Sequence, residues 1–222
     1  MKRDLARFFS AQAPLLRGLD GRVIARLAAA AQVRSYDRGD FILRAGEPAR
    51  EIWILLEGRV CINRCGWKGG RINLEIMVPG DMFGLPALTH WSHPSDIEVV
   101  GRSVAAAVPR HTVLDAIKSH PALASRLFSE IMSRLHFVET QLMLGREPVE
   151  TRIAAALVYL RGKFGASIPL TSAEIGAMAQ TTPETAMRRL KELERAGTLR
   201  RRRGRVDVVD VAGLKAKLGG RF

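Results

Sequence analysis

The sequence predicts an α+β chain: an antiparallel, jelly-roll-like β-roll sensor domain, a long dimerisation helix, and a C-terminal winged helix-turn-helix. Three observations predict it. Short β-type runs punctuated by glycine fill residues 36–109, the texture of a roll or barrel. An unbroken helical stretch follows, from Leu123 to Leu144. Residues 170–209 then read as two short helices across a tight turn and an arginine-rich hairpin. The expected division is N-terminal helices and roll over 1–110, the long-helix region over 111–145, and the winged domain over 146–222.

The elements follow in order. Residues 1–35 carry helical apolar spacing (Leu5, Phe8 and Phe9; Leu15, Leu16 and Leu19; Val23, Ile24 and Leu27), broken by Gly18 and Gly21. From Tyr36 the period changes. The runs Phe41–Leu43, Ile52–Leu56, Val60–Ile62, Ile72–Val78, Ile97–Val100 and Val104–Val108 read as strands, and Gly39, Gly46, Gly58, Gly69, Gly70, Gly80 and Gly84 mark turns.

His120-Pro121 is a turn before the long helix. There Leu127, Ile131, Leu135, Val138 and Leu142 approximate a coiled-coil seam. Such a seam packs either on its own domain or on a twin helix. Gly145-Arg146-Glu147-Pro148 breaks the helix and is the hinge candidate. Val149 to Lys163 resumes as a helix with Ile153, Leu157 and Leu160 on one face.

In the C-terminal part, Thr171 and Glu174 have the spacing of a capping box, and Ile175, Met178 and Ala179 give the first helix an inner face. Gln180-Thr181-Thr182 is the turn. Pro183 suits a first helical position, with Thr182 as N-cap and Gly197 as the stop. The inner face of this second helix is Ala186, Leu190 and Leu193; its outer face carries Glu184, Thr185, Arg188 and Arg189. Helix-turn-helix proteins insert the start of the second helix into the major groove. There an Arg binds guanine O6 and N7, and a Glu accepts from cytosine N4. Glu184 and Arg188, four apart, also suit an intrahelical ion pair. Leu199 to Val209 forms the wing: Arg200 to Arg203 precede Gly204, Arg205 follows, and Val206, Val208 and Val211 alternate with Asp207 and Asp210 as in a strand. Arg201, Arg202, Arg203 and Arg205, with Thr171 and Thr182, are the phosphate-contact candidates, adding affinity without base choice.

Charge agrees with a polyanionic partner. The net charge is +13, and residues 146–222 hold 16 Lys and Arg against 8 Asp and Glu. No apolar run approaches the roughly 20 residues of a membrane span, and residues 1–10 lack a signal-peptide core, so a cytoplasmic protein without membrane contact is expected. Two cysteines are too few for a disulfide scaffold or a thiolate metal site. No Gly-rich phosphate loop, paired-carboxylate site or Ser-His-Asp set stands out, which argues against an enzyme.

Together these residues resemble the bacterial Crp–Fnr family of transcription regulators. In the roll the resemblance rests on Arg38-Gly39-Asp40-Phe41-Ile42, Ala45-Gly46-Glu47-Pro48, Ile52 to Val60 and Pro79-Gly80-Asp81-Met82-Phe83-Gly84. In the C-terminal part it rests on Thr151-Arg152-Ile153-Ala154, Leu170 to Ile175 and Pro183 to Leu190. It implies a homodimer on near-palindromic duplex DNA, RNA polymerase as a partner, and family base-reading residues falling on Glu184 and Arg188. Three residues depart from the pattern: Pro183 where cAMP-binding members have Arg, Gln180 where the turn has Gly, and Met187 where the Fnr-like branch has Ser.

The effector is less legible. Cyclic-nucleotide binders of this type follow Phe-Gly with a ribose-binding Glu and later an Arg-Ser phosphate clamp. Here Phe83-Gly84 precedes Leu85-Pro86, the clamp region reads His93-Pro94-Ser95, and the adenine-contacting pair falls on Val138-Glu139. These residues mark the expected effector pocket and argue against cAMP. The missing N-terminal cysteine cluster argues against an iron–sulfur centre. A haem sensor would use His90, His93 or His136, although Gly84 and Pro86 stand where the familiar haem ligands fall; hydrogen-bonded histidines are the alternative. Cys61 and Cys65, near Arg59, Arg64, Lys68 and Arg71, form either a redox switch or two inert thiols. A nucleoid-type DNA binder without ligand control is the remaining alternative.

Overall fold

The computed structural model describes residues 2–65, 71–89 and 91–219. The chain divides into two compact units, Met1–Cys65 with Leu74–Leu135 and Gly66–Asn73 with His136–Phe222.

In the first unit, helices α1 (Lys2–Gln12) and α2 (Gly21–Ala30) precede six strands: β1 (Gln32–Tyr36), β2 (Phe41–Leu43), β3 (Glu51–Cys65), β4 (Arg71–Met77, which enters this unit at Leu74), β5 (Met82–Phe83) and β6 (Asp96–Pro109). A 3₁₀ turn, Leu85–Thr89, follows β5; helix α3 (Arg110–Ser119) and the start of α4 (Pro121–Leu144) close the unit. Asp20 caps α2 by accepting from the Arg22 amide at 2.7 Å. The strand order is β1-β6-β3-β4. Strands β1, β2 and β3 each pair antiparallel with β6, and β5 pairs antiparallel with β3.

Strand alternation sorts the core into two layers. Ile52 and Ile54 of β3, with Ala106 and Val108 opposite them on β6, belong to a cluster containing Phe9, Leu16, Leu27, Val113, Leu123 and Leu127 of the helical layer. Trp53 and Leu55, opposite Ala107 and Ala105, belong to a second cluster with Val60, Met77, Phe83, Ile97 and Val99. Trp53 stacks on Phe83 at 6.1 Å between centroids, and Tyr36 meets Trp53 edge-on at 6.2 Å.

The long β3–β6 pair bends where its register shifts between Leu55 and Val60. Gly58 sits at the bend with φ +82°, and a Cβ there would collide with the Arg102 carbonyl and Ser103. The fully buried Ser103 staples it: its hydroxyl donates to the Gly101 carbonyl at 2.6 Å and accepts from the Arg59 amide at 3.0 Å.

The second unit holds the rest of α4, α5 (Val149–Phe164), β7 (Ser167–Ile168), α6 (Ser172–Met178), α7 (Pro183–Arg195), β8 (Leu199–Arg202), β9 (Arg205–Val208) and α8 (Val211–Ala216). Its small sheet has the order β7-β9-β8. Ile153, Leu157, Leu160, Ile168, Ile175, Leu190, Leu199, Val206 and Leu214 are buried there.

Four details differ from the sequence reading. Residues 32–35, read as helical, form most of β1, because their pairing with residues 104–107 of β6 completes the sheet edge. Strand β7 adds a third strand to the expected two-stranded wing. Val211 begins a helix instead of extending the wing, since Asp210 caps α8 through the Gly213 amide at 2.9 Å. Leu127 is not part of an outward seam: it is 4% exposed within the helical-layer cluster, whereas Phe128 is 65% exposed. The outward stripe is therefore Phe128, Ile131, Leu135, Val138 and Leu142. Its spacing of 3, 4, 3 and 4 is a cleaner heptad than the one starting at Leu127.

Candidate nucleic-acid interface and effector site

The helix-turn-helix is assembled by its caps. Thr171 and Glu174 form a reciprocal capping box on α6, with the Thr171 amide donating to Glu174 at 2.7 Å and the Glu174 amide donating back to the Thr171 hydroxyl at 3.2 Å. Thr182 caps α7 through the Thr185 amide at 3.3 Å, with Pro183 at the first helical position. Both hydroxyls proposed for phosphate contact therefore already serve a helix start. Between the helices, Gln180 takes a left-handed φ of +51°, and its carbonyl accepts from Arg152 at 3.1 Å.

Along α7, Ala186, Leu190 and Leu193 are buried while Glu184, Met187, Arg188 and Lys191 are exposed. Thr185 and Arg189 are half-buried. Arg189 donates to Glu192 at 2.7 Å, so of the two adjacent arginines Arg188 is the one presented to solvent.

The wing turns at Gly204, with φ +69°. Arg201 is a strut: its amide and its Nε donate to the two oxygens of Glu194 on α7, at 2.7 and 2.8 Å. The Arg201 amide, then its guanidinium, hold the Glu194 carboxyl below the usual range. Arg202 and Arg205 both reach Asp207, at 3.4 and 3.2 Å. Arg200 and Arg203 are exposed.

In the roll, Phe83 is buried in the second cluster and Gly84 has φ +76°. Leu85 is buried and Pro86 half-buried in the 3₁₀ turn; neither side chain carries a donor or a carboxylate for a ribose or phosphate, and Pro86 has no backbone N–H. His93 is buried; its amide donates to the Glu47 carbonyl at 2.9 Å and its carbonyl accepts from Gly46 at 2.8 Å. Val138 and Glu139 are exposed on α4. His136 is exposed beside Glu139 at 3.9 Å. His90 lies outside the described residues, as do Lys68 and the side chains of Cys65 and Arg71. Cys61 is 1% exposed, its sulfur 3.7 Å from the Ile62 carbonyl, a setting unlike the accessible, electropositive one of a reactive thiolate. Among the described residues no group of three or more His, Cys, Asp or Glu could hold a metal ion.

Arg134 is a residue of the roll's helical boundary that no motif in the sequence marks. From α4 it donates to the Met82 carbonyl at 2.8 Å and to Glu130 at 3.0 Å, with Glu75 of β4 at 3.6 Å. The i, i+4 pair with Glu130 was available as a signal; the link to β4 and β5 was not.

A glycine-punctuated roll followed by a long helix and a winged helix-turn-helix defines a DNA-binding regulator that carries its own effector-binding domain. Residues 33–120 match the cyclic nucleotide-binding domain, and residues 151–217 match the Crp-like helix-turn-helix domain. The chain is 27% identical over 205 residues to the cyclic AMP receptor protein of Thermus thermophilus, covering 91% of this chain and 95% of the relative. It is 26% identical to the CRP-like cAMP-activated global transcriptional regulator of Mycobacterium tuberculosis, covering 86% and 89%. Among solved structures it shares the fold of FixK2 from Bradyrhizobium japonicum, with TM-score 0.77, 23% identity, and coverage of 84% and 96%. The chain belongs to the Crp/Fnr family of transcription regulators. No described helix is long and apolar enough to cross a membrane.

Proposed function

We propose that this regulator works in the cytoplasm as a homodimer on near-palindromic duplex DNA, with two α7 helices in successive major grooves and RNA polymerase as a further partner. Glu184 and Arg188 read a G·C pair, Arg203 and its neighbours hold phosphates, and the α4 stripe pairs with its twin. The observation that carries this reading is α7 itself: its apolar side is buried while Glu184 and Arg188 stand exposed in its first two turns, and its last turn is tied to the wing through Glu194 and Arg201. The stripe from Phe128 to Leu142 supports the dimer, because five exposed apolar positions in heptad spacing are poorly suited to water.

The effector acts through the roll and is not cAMP. One relative is a cyclic AMP receptor protein and another a cAMP-activated regulator, but the side chains of Leu85 and Pro86 cannot supply polar contacts to a nucleotide. The burial of Cys61 weighs against a thiol switch. Effector binding shifts the population between DNA-domain orientations.

Selection of sites from random duplexes by the purified chain tests the proposal. Enrichment of an inverted repeat with half-sites about one helical turn apart is expected; retention of all sequences alike would leave a ligand-independent, nonspecific binder. Titration with cAMP should give no saturable heat, and a saturable isotherm would overturn the effector statement. A Soret band in the purified protein would replace it with haem.

A further inference from the structure

We infer that Met187 determines specificity by contacting the 5-methyl group of a thymine beside the base pair read by Arg188. The inference rests on the reading that α7 enters the major groove.

Met187 is the one large apolar side chain of α7 left in solvent, 55% exposed. The helix's packing positions are filled by Ala186, Leu190 and Leu193, so Met187 has no core duty. Its neighbours on the outer side are Glu184 one turn before, Arg188 next to it and Lys191 one turn after, all exposed. A face built to meet hydrogen-bonding and charged groups thus contains a single apolar one.

The major groove has one matching feature. Guanine, cytosine and adenine present only donors and acceptors there, whereas thymine presents an acceptor and a methyl group. An unbranched thioether with several rotatable bonds fits itself to such a methyl without disturbing a neighbouring bidentate Arg. Desolvating the methyl against sulfur and carbon favours thymine over every other base at that position. A hydroxyl at residue 187, as in the Fnr-like pattern, would lack this apolar match.

The test uses the full chain and the half-site enriched by selection. Each thymine of that half-site is replaced in turn by uracil, which removes only the methyl. At one position, replacement in a single half-site should weaken wild-type binding about fourfold, the value of one buried methyl. Met187→Ala should bind the thymine and uracil duplexes equally, keep its preference for the G·C pair, and melt like the wild type, since alanine favours an exposed helix. Wild-type indifference to uracil at every thymine, an enriched half-site without thymine, or persistence of the fourfold ratio in Met187→Ala would each overturn the inference while leaving base reading by Arg188 standing. Absence of any enriched sequence would overturn both.

Discussion

Gln180 is the one non-glycine residue with positive φ among the described residues. Left-handed backbone costs an L-residue about 1–3 kcal/mol. The turn imposes it: the Thr181 amide donates to the Gly176 carbonyl at 2.9 Å, and Arg152 holds the Gln180 carbonyl. Gln180→Gly should therefore raise stability by about 0.5–1 kcal/mol, after the glycine's extra unfolded-state entropy, seen as a higher urea midpoint at unchanged slope. Arg188→Ala should cost about 1–3 kcal/mol of DNA affinity and relax choice at one base pair; an equal loss on all duplexes would reassign it to phosphate. Burial holds the His93 imidazole below its ordinary range, with Glu47 pulling weakly the other way. The folded protein then binds fewer protons than the unfolded chain. This contribution to stability is complete above the free-imidazole pKa of about 6.5 and is lost as pH falls through it toward the folded value. His93→Gln should flatten the fall in urea midpoint between about pH 7.5 and 5.5; an identical fall in the variant would show that other groups cause it.

At the scale of elements, two arginines of one wing have separate duties. Arg201 ties β8 to α7, whereas Arg203 is exposed near the hairpin tip. Arg203→Ala should lower the slope of log affinity against log salt by about 0.9 for each phosphate contact removed. Arg201→Ala should instead loosen the wing, detected as faster amide exchange in β8 and β9. The reverse assignment would show up as a salt slope that moves only with Arg201. These distinctions were not legible in the run Arg200 to Arg203, because four adjacent arginines look alike until a strand alternates them and Glu194 comes within reach. The caps were legible, since Thr171, Glu174, Thr182 and Pro183 act over three or four residues of local sequence. The choice between Leu127 and Phe128 was only half legible: the 3, 4, 3, 4 spacing favours Phe128 for the outward stripe, but that Leu127 is buried follows from its packing within the helical layer.

At the scale of the molecule, the order of roll, long helix and winged domain was written in changes of hydrophobic period, which need no knowledge of contacts. What fills the roll was not, because Trp53 and Phe83 meet across β3 and β5, and Arg134 reaches β4 from α4. Such long-range meetings leave no periodic trace. Leu135→Asp places a charge in the outward stripe and should convert the proposed dimer to monomers by sedimentation; an intact dimer would move the interface elsewhere. The division of the chain at Leu135 and His136 falls inside the continuous helix α4. A mid-helix splice between homologues is consequently a matter of angular phase along α4: one inserted residue turns Val138 and Leu142 by about 100° away from the line of Ile131 and Leu135, while seven nearly restore the original heading. Chimaeras joined there should tolerate insertions in steps of whole heptads, and those joined at Gly145 to Pro148 should be indifferent to the count.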